Sequence, residues 1–182
     1  MAWFAYRNEA AMLFDRHRDQ DPDTLPRTAL VAGAGGGIGA ALCEALARAH
    51  PDMRLIRLSR APEALPPIQC DHYDRPLDFS RSETLNADLI ADAPSPDWVL
   101  IASGWLHGGG HRPEKRLADL DPAQLAYAYQ LNTVGPMMLV QSLEAMLPRK
   151  HPVRYGLLSA RVGSISDNRM GGWHSYRASK AA

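Results

Sequence analysis

Apolar residues along this chain come in short runs separated by stretches of helical spacing. Residues 28–32 (TALVA) form a compact run of strand type. From Ile38 to Ala49 the apolar positions are 38, 41, 42, 45, 46 and 49, which is helical spacing, and Pro51 ends it. Residues 53–59 (MRLIRLS) alternate as a strand does. A proline-rich loop follows, and a helix is expected over 80–91. Residues 97–103 (DWVLIAS) and 153–159 (VRYGLLS) read as further strands. Between them Asp121 and Pro122 form an N-cap and a first helical position, predicting a helix to about Met146, with Pro148 beyond. Gly135-Pro136 lies inside that helix and predicts a kink or a break. Strands that alternate with helices imply βαβ units, so the expected fold is α/β, a parallel sheet with helices on both faces and right-handed crossovers.

Composition narrows the picture. The chain has 182 residues, enough for one domain. Residues 1–26 read as an N-terminal extension and polar linker, with a short helix in its first half, and 27–182 as the domain. Twenty basic residues balance twenty acidic ones, so no electrostatic footprint points to nucleic acid or an anionic membrane. Cys43 and Cys70 are too few for a disulfide framework and fit a reducing compartment. Arg7, Glu9 and Asp15 interrupt the N-terminus, which therefore lacks the apolar region of a signal peptide. The uncharged run 122–143 is long enough to span a membrane. It carries Gln124, Gln130, Asn132, Thr133, Gln141 and Ser142, and reads as a buried helix of a soluble, cytoplasmic protein.

Candidate chemistry begins where the first strand meets the first helix. VAGAGGGIGAAL holds Gly33, Gly35, Gly36, Gly37 and Gly39. A tight turn, close backbone approach and helix N–H groups aimed at an anion are what a pyrophosphate needs. Two spacings fit: Gly35, Gly37 and Ala40 as G-x-G-x-x-G/A, or Gly33, Gly37 and Gly39 as G-x-x-x-G-x-G. Ile38 is counted with these glycines as cofactor-binding. A cofactor with a free ribose 2′-hydroxyl calls for a carboxylate after the second strand. Ser59 and Arg60 stand there instead, and an arginine suits a 2′-phosphate, so the expected cofactor is NADP, with NAD the alternative.

AGAGGGIG, LDFS, DWVLIASG, LNTVGP, LLSARVGS and YRASK occur in the order and rough spacing of the short-chain dehydrogenase/reductases, and the chain resembles that family from about Thr28 to its last residue. RPEKRLADLD and ARVGSISDN resemble the small carbonyl-reductase branch that includes the C-factor proteins. The resemblance implies a Rossmann-type doubly wound sheet and reduction of a small-molecule carbonyl to an alcohol. Tyr176 and Lys180 stand four apart, on one helix face. A free tyrosine has a pKa of about 10, and a nearby ammonium lowers it. Tyr176 can thus give a proton to a carbonyl oxygen. By the resemblance, Lys180 also holds the nicotinamide ribose, Asn132 sits at a distortion of the long helix and holds a relay water, Asp78 contacts adenine, and Ser103 and Gly104 follow the fourth strand. The family reads N-N-A-G where this chain has Ile101-Ala102-Ser103-Gly104.

The family's catalytic serine falls at residue 160, which is alanine here. Ser164 is the preferred substitute; Ser159 should point away from the site because strand side chains alternate. His107 and His111 flank three glycines, and Cys70 and His72 stand alone, so no metal site is expected. By resemblance, two further strands and half of a helix-pair subunit interface would follow Ala182. The chain is accordingly read as the N-terminal part of a longer reductase, homo-oligomeric when complete. Ala160 and the missing segment support a competing reading, a non-catalytic nucleotide-binding or regulatory protein.

Overall fold

The computed structural model describes residues 27–167, 169 and 171–182. The extension 1–26 and its expected helix lie outside the described residues. The elements are β1 Thr28–Ala32, α1 Gly37–Ala49, β2 Arg54–Ser59, β3 His72–Pro76 and β4 Trp98–Ile101. They continue with α2 Pro122–Tyr129, a π-helical stretch Gln130–Val134, α3 Gly135–Met146, β5 Arg154–Leu157 and α4 His174–Ala181. All strand pairs are parallel, in the order β3-β2-β1-β4-β5. This is the Rossmann-type α/β sheet the pattern predicts.

β1 is central and buried along its whole length. Its alternate side chains feed two cores. Leu30 and Ala32 pack with Ile56, Val99, Leu139 and Leu143 on the side covered by α3. Ala29 and Val31 pack with Cys43, Leu46 and Leu55 on the side covered by α1. Period-two alternation in the strand meets the apolar stripe of a helix on each face.

Two expectations over 60–91 need correction. The proline-rich loop contains β3, an outer strand whose residues are only partly buried. It lacks apolar alternation because its anchor is polar: Asp74 receives two 2.6 Å hydrogen bonds from Arg57 Nε and Nη2, and Arg57 Nη1 donates to Pro66 O at 2.7 Å. The helix over 80–91 does not form. Two short 3-10 turns, Ser82–Thr84 and Ala87–Leu89, stand there instead. Side chains compete for the backbone: Asp78 Oδ1 accepts from Ser80 N, Thr84 Oγ1 accepts from Asp78 N, and Asn86 Oδ1 accepts from Asp88 N.

The long helix does not break at Gly135-Pro136. α2, the π stretch and α3 run on with right-handed helical backbone, and the irregularity lies one turn earlier, around Asn132. Pro136 has no N–H for the Asn132 carbonyl four residues back, which removes one α-helical bond there. Gly135 is required by contact, since a Cβ on it would lie 2.5 Å from the Phe79 side chain.

Candidate active site

Strand order reverses between β1 and β4, and in such sheets the crevice at the strands' carboxyl ends is where ligands bind. A cavity of about 380 Å³ opens there, with Gly33, Gly35, Arg60, Asp78, Ser103 and Gly104 in its wall. Gly37, Ile38 and Gly39 form the first turn of α1, with Ile38 exposed. The loop is close-packed at Gly33 and Gly39. Gly33 has φ +88°, and a Cβ on it would lie 2.8 Å from Ser103 N. A Cβ on Gly39 would lie 2.0 Å from Gly33 O. Gly37 has open space around it.

Arg60 is exposed at the end of β2, beside Ser59, whose Oγ accepts from Ala61 N at 3.2 Å. Ser103 Oγ is buried without a hydrogen-bond partner. A helix N-terminus, a backbone cradle without side chains, an unpaired hydroxyl and an exposed arginine together fit a dinucleotide with phosphate groups.

Asn132 and Lys180 come together beside Gly104, in the wall of the cavity. Asn132 Oδ1 accepts from Trp105 N at 2.7 Å, and its Nδ2 donates to Trp105 O and to Ser179 Oγ, both at 2.9 Å. Thr133 Oγ1 donates to Ser179 O at 2.7 Å. The side-chain amide of Asn132 thus uses both its protons within the protein, tying the loop after β4 to α4. A Cβ on Gly104 would lie 3.2 Å from Lys180 Nζ and 3.8 Å from Asn132 Oδ1, so Gly104, Asn132 and Lys180 share one small space. Trp105 lines the cavity and meets Tyr127 and His111 edge-on.

One electrostatic expectation is corrected. Tyr176 is held above the usual tyrosine value because burial disfavours its charged form. Lys180 is held below the usual lysine value for the same reason. Its Nζ donates one hydrogen bond to Leu158 O at 2.8 Å, just beyond the end of β5.

Ser159 Oγ donates to Lys180 O at 3.0 Å, so it faces α4 rather than turning away as alternation predicts. The strand has already ended at Leu157, and period two no longer applies. Ser164 Oγ lies 3.3 Å from Ser166 Oγ and accepts from Asp167 N at 3.1 Å, within its own loop. His111 forms a bridge with Gly108, and among the described residues no group of three or more His, Cys, Asp or Glu side chains is placed to hold a metal ion. No helix among the described residues is long and apolar enough to cross a membrane.

Sequence reasoning missed Trp105, Ser179, Leu158 and Glu114. Ser179 lies inside the quoted YRASK, and its burial at helical spacing from Ser175 is the signal that could have found it. The Leu158 carbonyl and the Trp105 backbone leave no mark in side-chain chemistry.

No family model matches the chain. It is 35% identical over 102 residues to the 1-hydroxy-2-glutathionyl-2-methyl-3-butene dehydrogenase of Rhodococcus sp. (strain AD45), covering 55% of this chain and 41% of that protein. It is 33% identical over 66 residues to the C-signal of Myxococcus xanthus, covering 36% of this chain and 40% of that protein. The chain thus spans about two fifths of these curated relatives. A structure from Burkholderia multivorans described as a short-chain dehydrogenase/reductase, with bound NADP, superposes with a TM-score of 0.68 at 23% identity, covering 87% of this chain and 69% of that one. The chain's curated and structural neighbours are short-chain dehydrogenase/reductases, and the C-signal match fits the C-factor-like branch.

Proposed function

We propose that the complete protein is an NADP-dependent oxidoreductase that reduces a small-molecule carbonyl to an alcohol. The observation that carries this reading is the convergence of Gly104, Asn132 and Lys180 on one space at the end of a glycine-cradled crevice. Gly33, Gly35, Gly37, Ile38 and Gly39 would hold the pyrophosphate, Asp78 the adenine end, and Arg60 the 2′-phosphate. NAD stays the alternative, and Arg60 is the residue that distinguishes the two.

When bound, the dihydronicotinamide supplies a hydride to the carbonyl carbon. Tyr176 Oη delivers the proton to the carbonyl oxygen, so that hydride and proton together give the alcohol. A phenol held above its ordinary pKa is a poorer proton donor, and the charge of Lys180 brought closer would favour the tyrosinate left when the proton is given up. Lys180 would leave Leu158 O for the nicotinamide ribose. With the Asn132 amide engaged, a relay water would use the Asn132 carbonyl, which lacks its α-helical donor. Ser164 is assigned to orient the carbonyl from its loop. By analogy with the family, the complete protein is a homo-oligomer.

The competing reading, a non-catalytic nucleotide-binding protein, draws on Ala160 and on the bond between Lys180 and Leu158. Isotope transfer separates the two. With NADPH deuterated at the transferring position and 4-nitrobenzaldehyde, the full-length protein should yield alcohol bearing deuterium on the former carbonyl carbon. NADPH binding without label in the alcohol would favour the non-catalytic reading.

A further inference from the structure

We propose that Glu114 is a positioning residue for Tyr176, clamping the start of α4 from the loop between β4 and α2; this rests on the reductase reading of the site. Glu114 is 3% exposed. Its main-chain oxygen accepts from Trp173 N at 2.6 Å. Its Oε1 accepts from Ser175 Oγ and from Gln124 Nε2, the latter at 3.3 Å. Its Oε2 accepts from Ser175 N at 3.3 Å. Gln124 is itself anchored to Arg112 O at 2.9 Å.

α4 needs this help. Its N-cap, Trp173, offers no side-chain acceptor and stands at φ +55°, a conformation uncommon outside glycine. The first N–H groups of a helix have no partner within it, and a carboxylate near that end is favourable. Glu114 supplies an acceptor from 61 residues away in sequence. Three donors meet its two oxygens. A carboxylate satisfies them because it only accepts, whereas an amide would set its own N–H groups against them.

The arrangement fixes more than a helix end. Ser175 and Ser179 are each 1% exposed and stand four apart, on the buried face of α4. Glu114 holds Ser175, and Asn132 holds Ser179. Tyr176 and Lys180 each follow one of these held serines by one residue. The helix is suspended at two points, and the pair that would do the chemistry is registered against both. The Tyr176 ring also lies edge-on to that of Trp173, with centroids 6.4 Å apart, and Trp173 N–H is bonded to Glu114.

The test uses the full-length protein and Glu114→Gln, with Ser175→Ala removing the other end of the contact should the first variant fail to fold. Hydrogen exchange of the α4 amides is measured beside kcat with 4-nitrobenzaldehyde and the dissociation constant for NADPH. Loss of the clamp should speed exchange at residues 175–177 by at least about tenfold while β1 amides keep their rates. The displaced phenol should lower kcat by roughly 10- to 100-fold, with the NADPH dissociation constant changed less than about twofold. Unchanged exchange in α4 would overturn the proposal, and so would faster exchange with kcat within twofold of the parent. If the parent protein shows no turnover, the reductase reading fails, and the exchange comparison alone decides the clamp.

Discussion

Replacing Gly39 by alanine should destabilise the protein, whereas the same change at Gly37 should leave the fold intact and weaken dinucleotide binding. A Cβ on Gly39 would lie 2.0 Å from the Gly33 carbonyl oxygen, 2.7 Å from its carbon and 3.0 Å from Ala34 Cα. These are backbone atoms. The Gly33 oxygen already accepts from Gly36 N at 2.9 Å, so it cannot swing aside freely. Relief requires α1 to move away from the end of β1, which disturbs the core that Cys43 and Leu46 share with Val31. Overpacking of this kind costs about 1–3 kcal/mol, and contact with backbone places it at the upper end, near ~3 kcal/mol. For a domain of this size that is a loss of roughly 6–12 °C in Tm. Nothing lies within 4 Å of a Cβ on Gly37, so stability there should be unchanged or slightly raised. That open space is where a pyrophosphate would approach, so NADPH affinity should fall about tenfold or more. Thermal unfolding and NADPH fluorescence titration of both variants check the pair. A Gly39→Ala protein as stable as its parent would refute the close-packing argument, and a Gly37→Ala protein with full NADPH affinity would remove the cradle from the binding site.

Other outcomes follow from the same geometry. Arg60→Asp should erase or reverse a preference for NADPH over NADH, measured by paired titrations, and equal affinities in the parent would remove the 2′-phosphate argument. Ultraviolet titration of the protein without nucleotide should show Tyr176 ionising above about pH 10, as the difference from Tyr176→Phe. Its raised folded pKa favours the neutral phenol, so that contribution to stability is present below the unfolded value and is lost as pH rises through the folded one. The 182-residue chain should self-associate by light scattering, because β5 is an outer strand and Val134, Met137, Met138 and Leu157 are exposed. A monodisperse monomer would contradict that expectation.

The sheet was legible where side chains carry the signal. TALVA and the 38–49 stripe mark β1 and α1 because both pack on apolar neighbours, and alternation or helical spacing records that directly. β3 was not legible because Arg57 and Asp74 hold it, and an ion pair leaves no apolar pattern. The expected helix over 80–91 failed because Asp78, Thr84 and Asn86 draw the backbone into turns, a local competition that periodicity does not register. In the long helix, Gly135-Pro136 announced an irregularity but not its form, while the family resemblance put a distortion at Asn132, which the π stretch contains. In the candidate site the residue types were readable, while their partners were not. The pairing of Asn132 with Trp105, the Lys180 bond to a main-chain carbonyl, and the Glu114 contact with Ser175 all join segments distant in sequence. The shift of Tyr176 depends on burial, which overrides the rule drawn from a lysine four residues away.

In the proposed mechanism Tyr176 delivers the proton in a nucleotide-dependent carbonyl reduction. The most direct measurement is the rate of NADPH oxidation with 4-nitrobenzaldehyde by the full-length protein and by its Tyr176→Phe variant, alongside the NADPH dissociation constant of each. The phenylalanine keeps the ring in place beside Trp173 and removes only the hydroxyl. The parent should turn over, the variant should lose at least about 100-fold, and NADPH affinity should agree within twofold between them. A variant that keeps most of the parent's rate would contradict that mechanism.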